Sequence, residues 1–449
     1  MTFVIGQKNL KQSLETQAPS GRLHAIARSN LVYWLIVALI AVPVGLTYWH
    51  HTDPMGAARY FDFEQCYYAT AKSVLSGGAS VLESHFNDGT FMNVPIMAWV
   101  LTPIAHLNRI HADLAFAAIS VVTIFATIFL LTRNSSSLTA PGLCLMFLLN
   151  GPLWYSLLLG NSTQIVLLCL VAALALWRRQ DGYAVGLLIG VAAVIKPMII
   201  LFGIYFAFKK QWTVVLGGAT VIVAALLGSV AIAGLDVTIY WYQHTLADFA
   251  GKPMPAFNVQ SIEAFILRLS EGPESATNWN PHVLPVWGKI IRDFVFASLF
   301  GLVAYGLWIG RGRLQGLSSR QPPSSRDYLE FCLVLTLCVV TSTVSWTHYY
   351  LLLLLPYSLY FTGVMHLKED RLTQFLIWTS LIFCSLPVHE HIFASRDVEA
   401  VFFKSFQSIW LFGGLLLFWA LMRSVLSATS PKTIISTRVS GARLQRKVS

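Results

Sequence analysis

Three side chains in this sequence have a type and a setting that admit chemistry: Asp62, Lys196 and His348. Lys196 is the only charged residue between Asp181 and Lys209, within Gly182–Phe208. A charge placed in hydrocarbon costs about 2.5 to 3.5 kcal/mol on insertion scales, so a purely structural membrane helix does not keep one. Pro197 follows it, removes a backbone donor and breaks the helix at that depth. A cation beside a helix break marks a polar cavity within the membrane that suits an anion, phosphate above all. The bland alternative is a lysine that snorkels from a kink to nearby water. Asp62 stands at the start of an amphipathic stretch, at a water–membrane boundary. A carboxylate that loses solvation there gains basicity, which suits a general base. Its alternative is a helix cap with a charged first turn, which Asp62 and Glu64 also fit. His348 sits in Ser345-Trp346-Thr347-His348-Tyr349, where it could relay a proton or bind a hydroxyl. An interfacial aromatic belt accounts for the same residues.

Two further polar blocks interrupt apolar surroundings. In Gly160-Asn161-Ser162-Thr163-Gln164, Asn161 and Gln164 could hydrogen-bond a sugar or a phosphate; a plain helix start and turn is the alternative. In Asn258-Val259-Gln260-Ser261 through Arg268, Ser261 and Arg268 are seven residues apart and share a helix face. That face could hold a phosphate or diphosphate, or be an ordinary capped amphipathic helix. No metal-binding, P-loop or dinucleotide signature is present, and no cofactor is expected. His50-His51 cannot share a helix face, and His389-Glu390-His391 lacks further ligands.

The elements that must position these residues are membrane helices. Of 449 residues, 55% are hydrophobic and only 12% charged, which excludes a large soluble enzyme. Apolar stretches near spanning length recur from residue 31 to residue 422. The net charge of +10 lies mostly at the ends and in short loops, as at cytoplasmic ends, and not as a nucleic-acid footprint. The expected organisation is a cytoplasmic arm over 1–30, a membrane domain over 31–422 and a basic cytoplasmic tail over 423–449. Large outer loops fall at 50–93 and 235–286, with a basic inner loop at 311–327. The first apolar run reads as a retained span, not a cleaved signal. Five of the six cysteines lie in apolar runs, so no disulfide framework is implied. Spans are expected at about 31–49, 212–234, 287–310, 328–346, 349–365, 372–387 and 401–422, and residues 63–76 read as a surface helix.

Two threadings of the middle stay open. Counting the runs near 93–107, 114–132, 139–159, 162–177 and 183–208 as single crossings gives twelve spans, but puts Arg178 and Arg179 outside. Splitting 183–208 at Lys196-Pro197 gives two half-length helices of about 18–20 Å, too short to cross. Such re-entrant backbone is tolerated only where it is buried or lines a cavity. This threading also requires that 93–107 does not cross.

The ordered set of motifs resembles glycosyltransferase family 87, also called DUF2029, a family of polytopic enzymes that includes polyprenol-phosphate-mannose-dependent mannosyltransferases. The resemblance is carried by Asp62 with Tyr67-Tyr68-Ala69-Thr70-Ala71, by Gly160 to Gln164 followed by Gly186 to Pro197, by Asn258 to Arg268, and by Ser345 to Tyr349. It spans roughly residues 55–360. Two departures stand out. The family usually has Gly-Gln where this chain has Gly160-Asn161, and often two histidines where it has His348-Tyr349.

The resemblance implies an all-α polytopic membrane protein of GT-C type, with about 11–13 transmembrane helices and amphipathic helices in its outer loops. It implies an extracytoplasmic active site in a bacterial inner membrane, a polyprenyl-phosphate sugar as donor, and a lipid or glycan acceptor. The sugar is then a mannose-like hexose or a pentose, transferred with inversion. Asp62 is the expected base, assisted by His348. Lys196 and Arg268 are the expected phosphate-binding cations. Tyr67, Asn161, Gln164, Asn258, Gln260, Ser261 and Trp346 are the expected contacts to sugar or acceptor. A single carboxylate suffices, unlike the pair of most glycosidases. The competing expectation is a transporter or flippase of a lipid-linked sugar.

Overall fold

The computed structural model describes residues 32–44 except 34, 60–133, 139–247, 252–314 except 272, 322–388 and 406–428. The histidines at 50–51 and 389–391, the arm 1–30 and nearly all of the basic tail lie outside them. The described chain is helical throughout, with one isolated antiparallel bridge between Val259 and Trp346.

The main helices are α1 (Leu35–Val44), α2 (Asp62–Tyr68, widely wound, running on through Ala69–Gly77), α3 (Arg109–Thr132), α4 (Thr139–Leu148), α5 (Gly151–Leu159), α6 (Thr163–Trp177), α7 (Gly182–Ile195), α8 (Leu201–Phe208), α9 (Trp212–Ala233), α10 (Ile262–Ser270), α11 (Val286–Leu314), α12 (Ser325–Thr341), α13 (Leu354–Phe361), α14 (Arg371–Ser385) and α15 (Ile409–Ser427). Among the described residues, α3, α9, α11 and α15 are long and apolar enough to cross a membrane. The pair α4 and α5, bent by 59°, is apolar and long enough only when taken together, as a broken span or a re-entrant loop. Caps set where several helices begin. Asn108, Asn150, Asp181 and Asp370 each accept a backbone N–H of the first turn, and Ser324 with Asp327 forms a full capping box. The core centres on α12, where every residue from Tyr328 to Val340 is buried, as expected of a helix apolar all round. The outer faces of α3, α9 and α11 show Phe125, Leu227 and Phe294 to the surroundings, which fits lipid contact.

Glycine contacts resolve the threading. Gly182 lies against Thr213, Gly186 against Val214, Gly217 and Gly218, and Gly190 against Val221. A Cβ at Gly186 would stand 2.1 Å from the Val214 carbonyl oxygen. Residue numbers rise together along both helices, so α7 and α9 run parallel. The chain between them must therefore return to the level where α7 began. It does so through Pro197–Ile200 and α8. The 14 residues of α7 rise only about 21 Å. Segment 182–208 is thus a hairpin that enters and leaves at one end of the bundle, with Lys196 at its tip. The split threading is the one adopted. The twelve-crossing count fails because Pro197 cannot carry the helix on. Residues 93–107 do not cross either: they form two short helices, Ile96–Val100 and Thr102–Ala105, the first held by the Ile96 N–H bond to Ser229 Oγ (3.0 Å).

The two feet of the hairpin share a charged end with α12. Arg178 Nε donates to Tyr328 Oη (2.8 Å). Lys209 Nζ bonds Asp327 Oδ1 (2.9 Å) and Glu330 Oε2 (2.7 Å), and Arg326 Nε bonds Glu330 Oε1 (2.7 Å). The expected spans 212–234 and 287–310 fall on α9 and α11, whereas 349–365 is divided into the turn Thr347–Leu353 and the eight-residue α13. The expected span 401–422 falls on α15, which ends at Ser427, so that Arg423 lies near its end, bonded to Asp370 (2.9 Å).

Candidate active site

Lys196 is held outside helical geometry (φ −133°, ψ 96°) for a local reason. The ring of Pro197 clashes with a helical residue before it, so position 196 turns to extended backbone. Its side chain is 6% exposed. Lys196 Nζ reaches Asn161 Oδ1 at 3.3 Å and lies 4.5 Å from the centre of the Tyr349 ring. Among the described residues no carboxylate forms an ion pair with it; Asp62 acts on it only at longer range.

Asn161 belongs to the turn between α5 and α6. Gly160 closes α5 in the left-handed region (φ 66°), and a Cβ there would meet Phe63 Cβ at 2.6 Å. Glycine is required twice over, for its backbone and for the close approach of α2. The Asn161 amide then bridges two charges. Its Nδ2 donates to Asp62 Oδ2 (2.6 Å), while Oδ1 accepts from Lys196, Thr163 N (3.1 Å) and Thr163 Oγ1 (2.7 Å). The amide orientation follows from this network: only the NH₂ can donate to a carboxylate. Gln164 fastens the turn. Its Nε2 donates to Asn161 O (2.6 Å) and Ser120 Oγ (2.8 Å), and its Oε1 accepts from Ser156 (2.8 Å).

Asp62 arrives on α2, which docks across this turn. Tyr60 N donates to Leu158 O (2.8 Å), Phe63 stacks on Phe116 (4.5 Å, 27°), and Tyr67 Oη meets Ser162 Oγ (3.2 Å). Glu64 is paired with Arg109. Asp62 is half-buried, and loss of solvation pushes its carboxyl above the ordinary aspartate value. The Asn161 hydrogen bond and the Lys196 charge act against that shift without cancelling it.

His348 and Tyr349 come from the turn Thr347–Leu353. His348 is 3% exposed, and neither ring nitrogen has a hydrogen-bond partner among the described residues. Its ring lies 5.0 Å from Tyr349, 6.3 Å from Tyr155 and parallel to Trp346 at 6.4 Å. Buried ring nitrogens normally have a hydrogen-bond partner, so both remain open to water or a further polar group.

The outer-loop block is brought to this turn and holds it. Thr347 N and Oγ1 donate to Asn258 O (2.8 and 3.0 Å), Gln260 N donates to Ser345 O (2.5 Å), and Tyr350 Oη donates to Gln260 O (2.7 Å). Asn258 Nδ2 bonds Tyr155 Oη (3.0 Å), and its Oδ1 accepts from Trp279 Nε1 (2.9 Å). The Gln260 NH₂ is taken by Phe257 O and Gln407 O, both at 2.6 Å. Ser261 caps α10 through Ala264 N (3.0 Å). Arg268 spends its Nη groups on the carbonyls of Pro255 (3.0 Å), Ala256 (2.8 Å) and Val259 (2.9 Å) and on Ser408 Oγ (2.8 Å).

The structure therefore brings Asp62, Asn161, Lys196 and His348 into one group, with Tyr67, Gln164 and Trp346 at its margin. Asn258 and Gln260 bond the turn that carries His348, whereas Ser261 caps its own helix and Arg268 holds the carbonyls of Pro255, Ala256 and Val259 in its own outer loop together with Ser408. Sequence reasoning did not single out Thr163, Ser120 or Tyr349. Ser120, a hydroxyl inside an apolar helix, was the one visible signal; Tyr349 was visible only as a departure from a motif.

Comparison with known proteins bears on the same region. The sequence model of glycosyltransferase family 87 matches residues 91–319, just over half of the chain. That range holds the Asn161 turn, Lys196 and the Asn258–Arg268 block, with Asp62 before it and His348 after it. An alpha-(1->3)-arabinofuranosyltransferase of Corynebacterium glutamicum is 24% identical over 234 residues, 50% of this chain and 50% of that protein. The chain spans about half the length of this curated relative. The membrane helices and a family match centred on the Lys196 hairpin agree: the chain belongs to glycosyltransferase family 87, a family of membrane glycosyltransferases.

Proposed function

We propose that this protein transfers a monosaccharide from a polyprenyl-phosphate donor to a lipid or glycan acceptor, with inversion, on the extracytoplasmic side of the membrane. The observation that carries this reading is the Asp62–Asn161–Lys196 relay, in which one amide joins a carboxylate to a buried ammonium that forms no ion pair among the described residues. Asp62 takes the proton of the acceptor hydroxyl as its oxygen attacks the anomeric carbon. The bond from that carbon to the phosphate oxygen breaks, and the polyprenyl phosphate leaves with the electron pair. Lys196 stabilises the charge that develops on the phosphate, so a strong general acid is not required. One displacement by one base gives inversion.

Charge supports the donor class. A sugar phosphodiester carries one negative charge, which matches one ammonium with no ion pair among the described residues. Arg268 is engaged by the carbonyls of Pro255, Ala256 and Val259, and so supports the outer loop whose Asn258 and Gln260 bond the turn of His348. His348, close by and unpartnered, orients the acceptor or the sugar. The positive-inside tendency supports the sidedness. Arg178, Arg179, Lys209, Lys210 and Arg326 gather at the end opposite the site. The relative's printed name favours a pentofuranose as the sugar, with a mannose-like hexose as the second choice.

The test uses the full chain in nanodiscs with a glycolipid extract as acceptor. Polyprenyl-phosphate-[14C]arabinofuranose is compared with the mannose donor, a polyprenyl-diphosphate sugar and a nucleotide sugar. Label is expected to reach acceptor from a polyprenyl-phosphate donor only, and Asp62→Asn should slow transfer at least 100-fold while still binding donor. Full transfer by Asp62→Asn would remove Asp62 as the base. Transfer from the diphosphate or nucleotide donor instead would overturn the donor class. Binding of polyprenyl-phosphate donors without transfer to any acceptor would favour a carrier.

A further inference from the structure

Lys196 needs compensation that Asn161 alone does not supply. An ammonium has three donors and a full charge. Asn161 Oδ1 meets only one of those donors, at 3.3 Å, and shares itself with two donors from Thr163. The other close partner of the ammonium is the face of Tyr349, 4.5 Å from Nζ to the ring centre. Aromatic faces attract cations through their quadrupole, most strongly where water is excluded.

The ring is placed by its own turn and by the outer loop that holds that turn. Tyr349 N donates to Trp346 O (2.8 Å), its neighbours Thr347 and Tyr350 are bonded to Asn258 and Gln260, and its ring packs against the edge of His348. The outer loop thus decides where the ring stands, and the ring decides where the ammonium stands.

Resting on the donor-phosphate reading above, we propose that Tyr349 is a positioning residue whose ring face holds the Lys196 ammonium ready for the donor's phosphate without neutralising it. A carboxylate at this place would pair with Lys196 and have to be displaced. An aliphatic side chain would leave the charge free to seek water. A π face does neither, because an anion can approach the ammonium from the side away from the ring.

The test measures binding of sugar-free polyprenyl phosphate and steady-state transfer in nanodiscs, with a thermal melt for every variant. Tyr349→Leu should weaken binding and raise donor KM about ten- to thirty-fold, leaving kcat nearly unchanged. Tyr349→Phe keeps the ring and should restore wild-type binding. If Tyr349→Leu does not fold, Tyr349→Met serves as the ringless variant. In a Lys196→Met background the ringless change should cost nothing further, because its target is gone. Equal losses in Tyr349→Phe and Tyr349→Leu would overturn the proposal, as would an undiminished loss in the Lys196→Met background. If Lys196→Met alone binds polyprenyl phosphate like wild type, the donor-phosphate reading fails and this inference falls with it. If Lys196→Met fails to bind while the ringless variants bind normally, only the role of Tyr349 is lost.

Discussion

At the scale of single residues, Asp62 is the group whose behaviour is most sharply constrained. Burial raises its pKa, while the Asn161 amide and the Lys196 charge pull it down. A base must be unprotonated to act, so with Asp62 as the proposed base kcat/KM is expected to rise with pH through the Asp62 pKa. The acid limb should therefore lie above the ordinary aspartate range. Asn161→Ala removes a hydrogen bond to the ionised form, so it should move the limb to still higher pH. A pH–rate profile of residual activity checks the sign. Movement to lower pH would show that the limb belongs to another group. The residue scale also shows how far sequence could reach. Lys196 was legible because the cost of a charge in hydrocarbon is local to it. The employment of Arg268 was not, because a guanidinium shows nothing of which oxygens will surround it. Its partners Val259 and Ser408 belong to different segments of the fold.

At the scale of elements, the site is a junction of helix ends. Gly160 ends α5, Pro197 ends α7, and α2 lies across both through Phe63, Tyr67 and Asp62. Gly160→Ala tests this junction. The backbone there is left-handed, and the new Cβ would press on Phe63 at 2.6 Å. A cost of about 1–3 kcal/mol is expected from strain and displacement together. In detergent this should appear as a lower melting temperature with a larger loss of activity, since α2 carries Asp62. An unchanged melt and rate would show that the turn relaxes freely. The sequence marked these breaks well, because proline and glycine act on their own backbone. It did not show that Gln164 would tie the turn to Ser120 of α3 and Ser156 of α5.

At the scale of the whole molecule, the parallel run of α7 and α9 places Arg178 and Lys209 at one end and Lys196 at the tip between them. Single added cysteines, in a background where the partly exposed Cys66 and Cys144 are replaced by Ser and only buried cysteines remain, test this layout. Gln180→Cys and Gln211→Cys should react with a membrane-impermeant maleimide from the same side, and Asn280→Cys from the other. Labelling of the first two from opposite sides would restore the single-crossing threading.

The sequence by itself determined that this is an all-α membrane protein, where its helices break, and that an aspartate and a lysine stand apart from their surroundings. Those properties follow from local costs: apolar length, missing backbone donors, and charge without water. Only the tertiary structure decided that 182–208 turns back, that one asparagine joins Asp62 to Lys196, and that Arg268 serves the loop beside His348. Hydrogen-bond donors and acceptors can be satisfied by any partner of the right type. Which partner is present depends on segments about a hundred residues apart, such as Asp62 and Asn161, and folding alone brings them together.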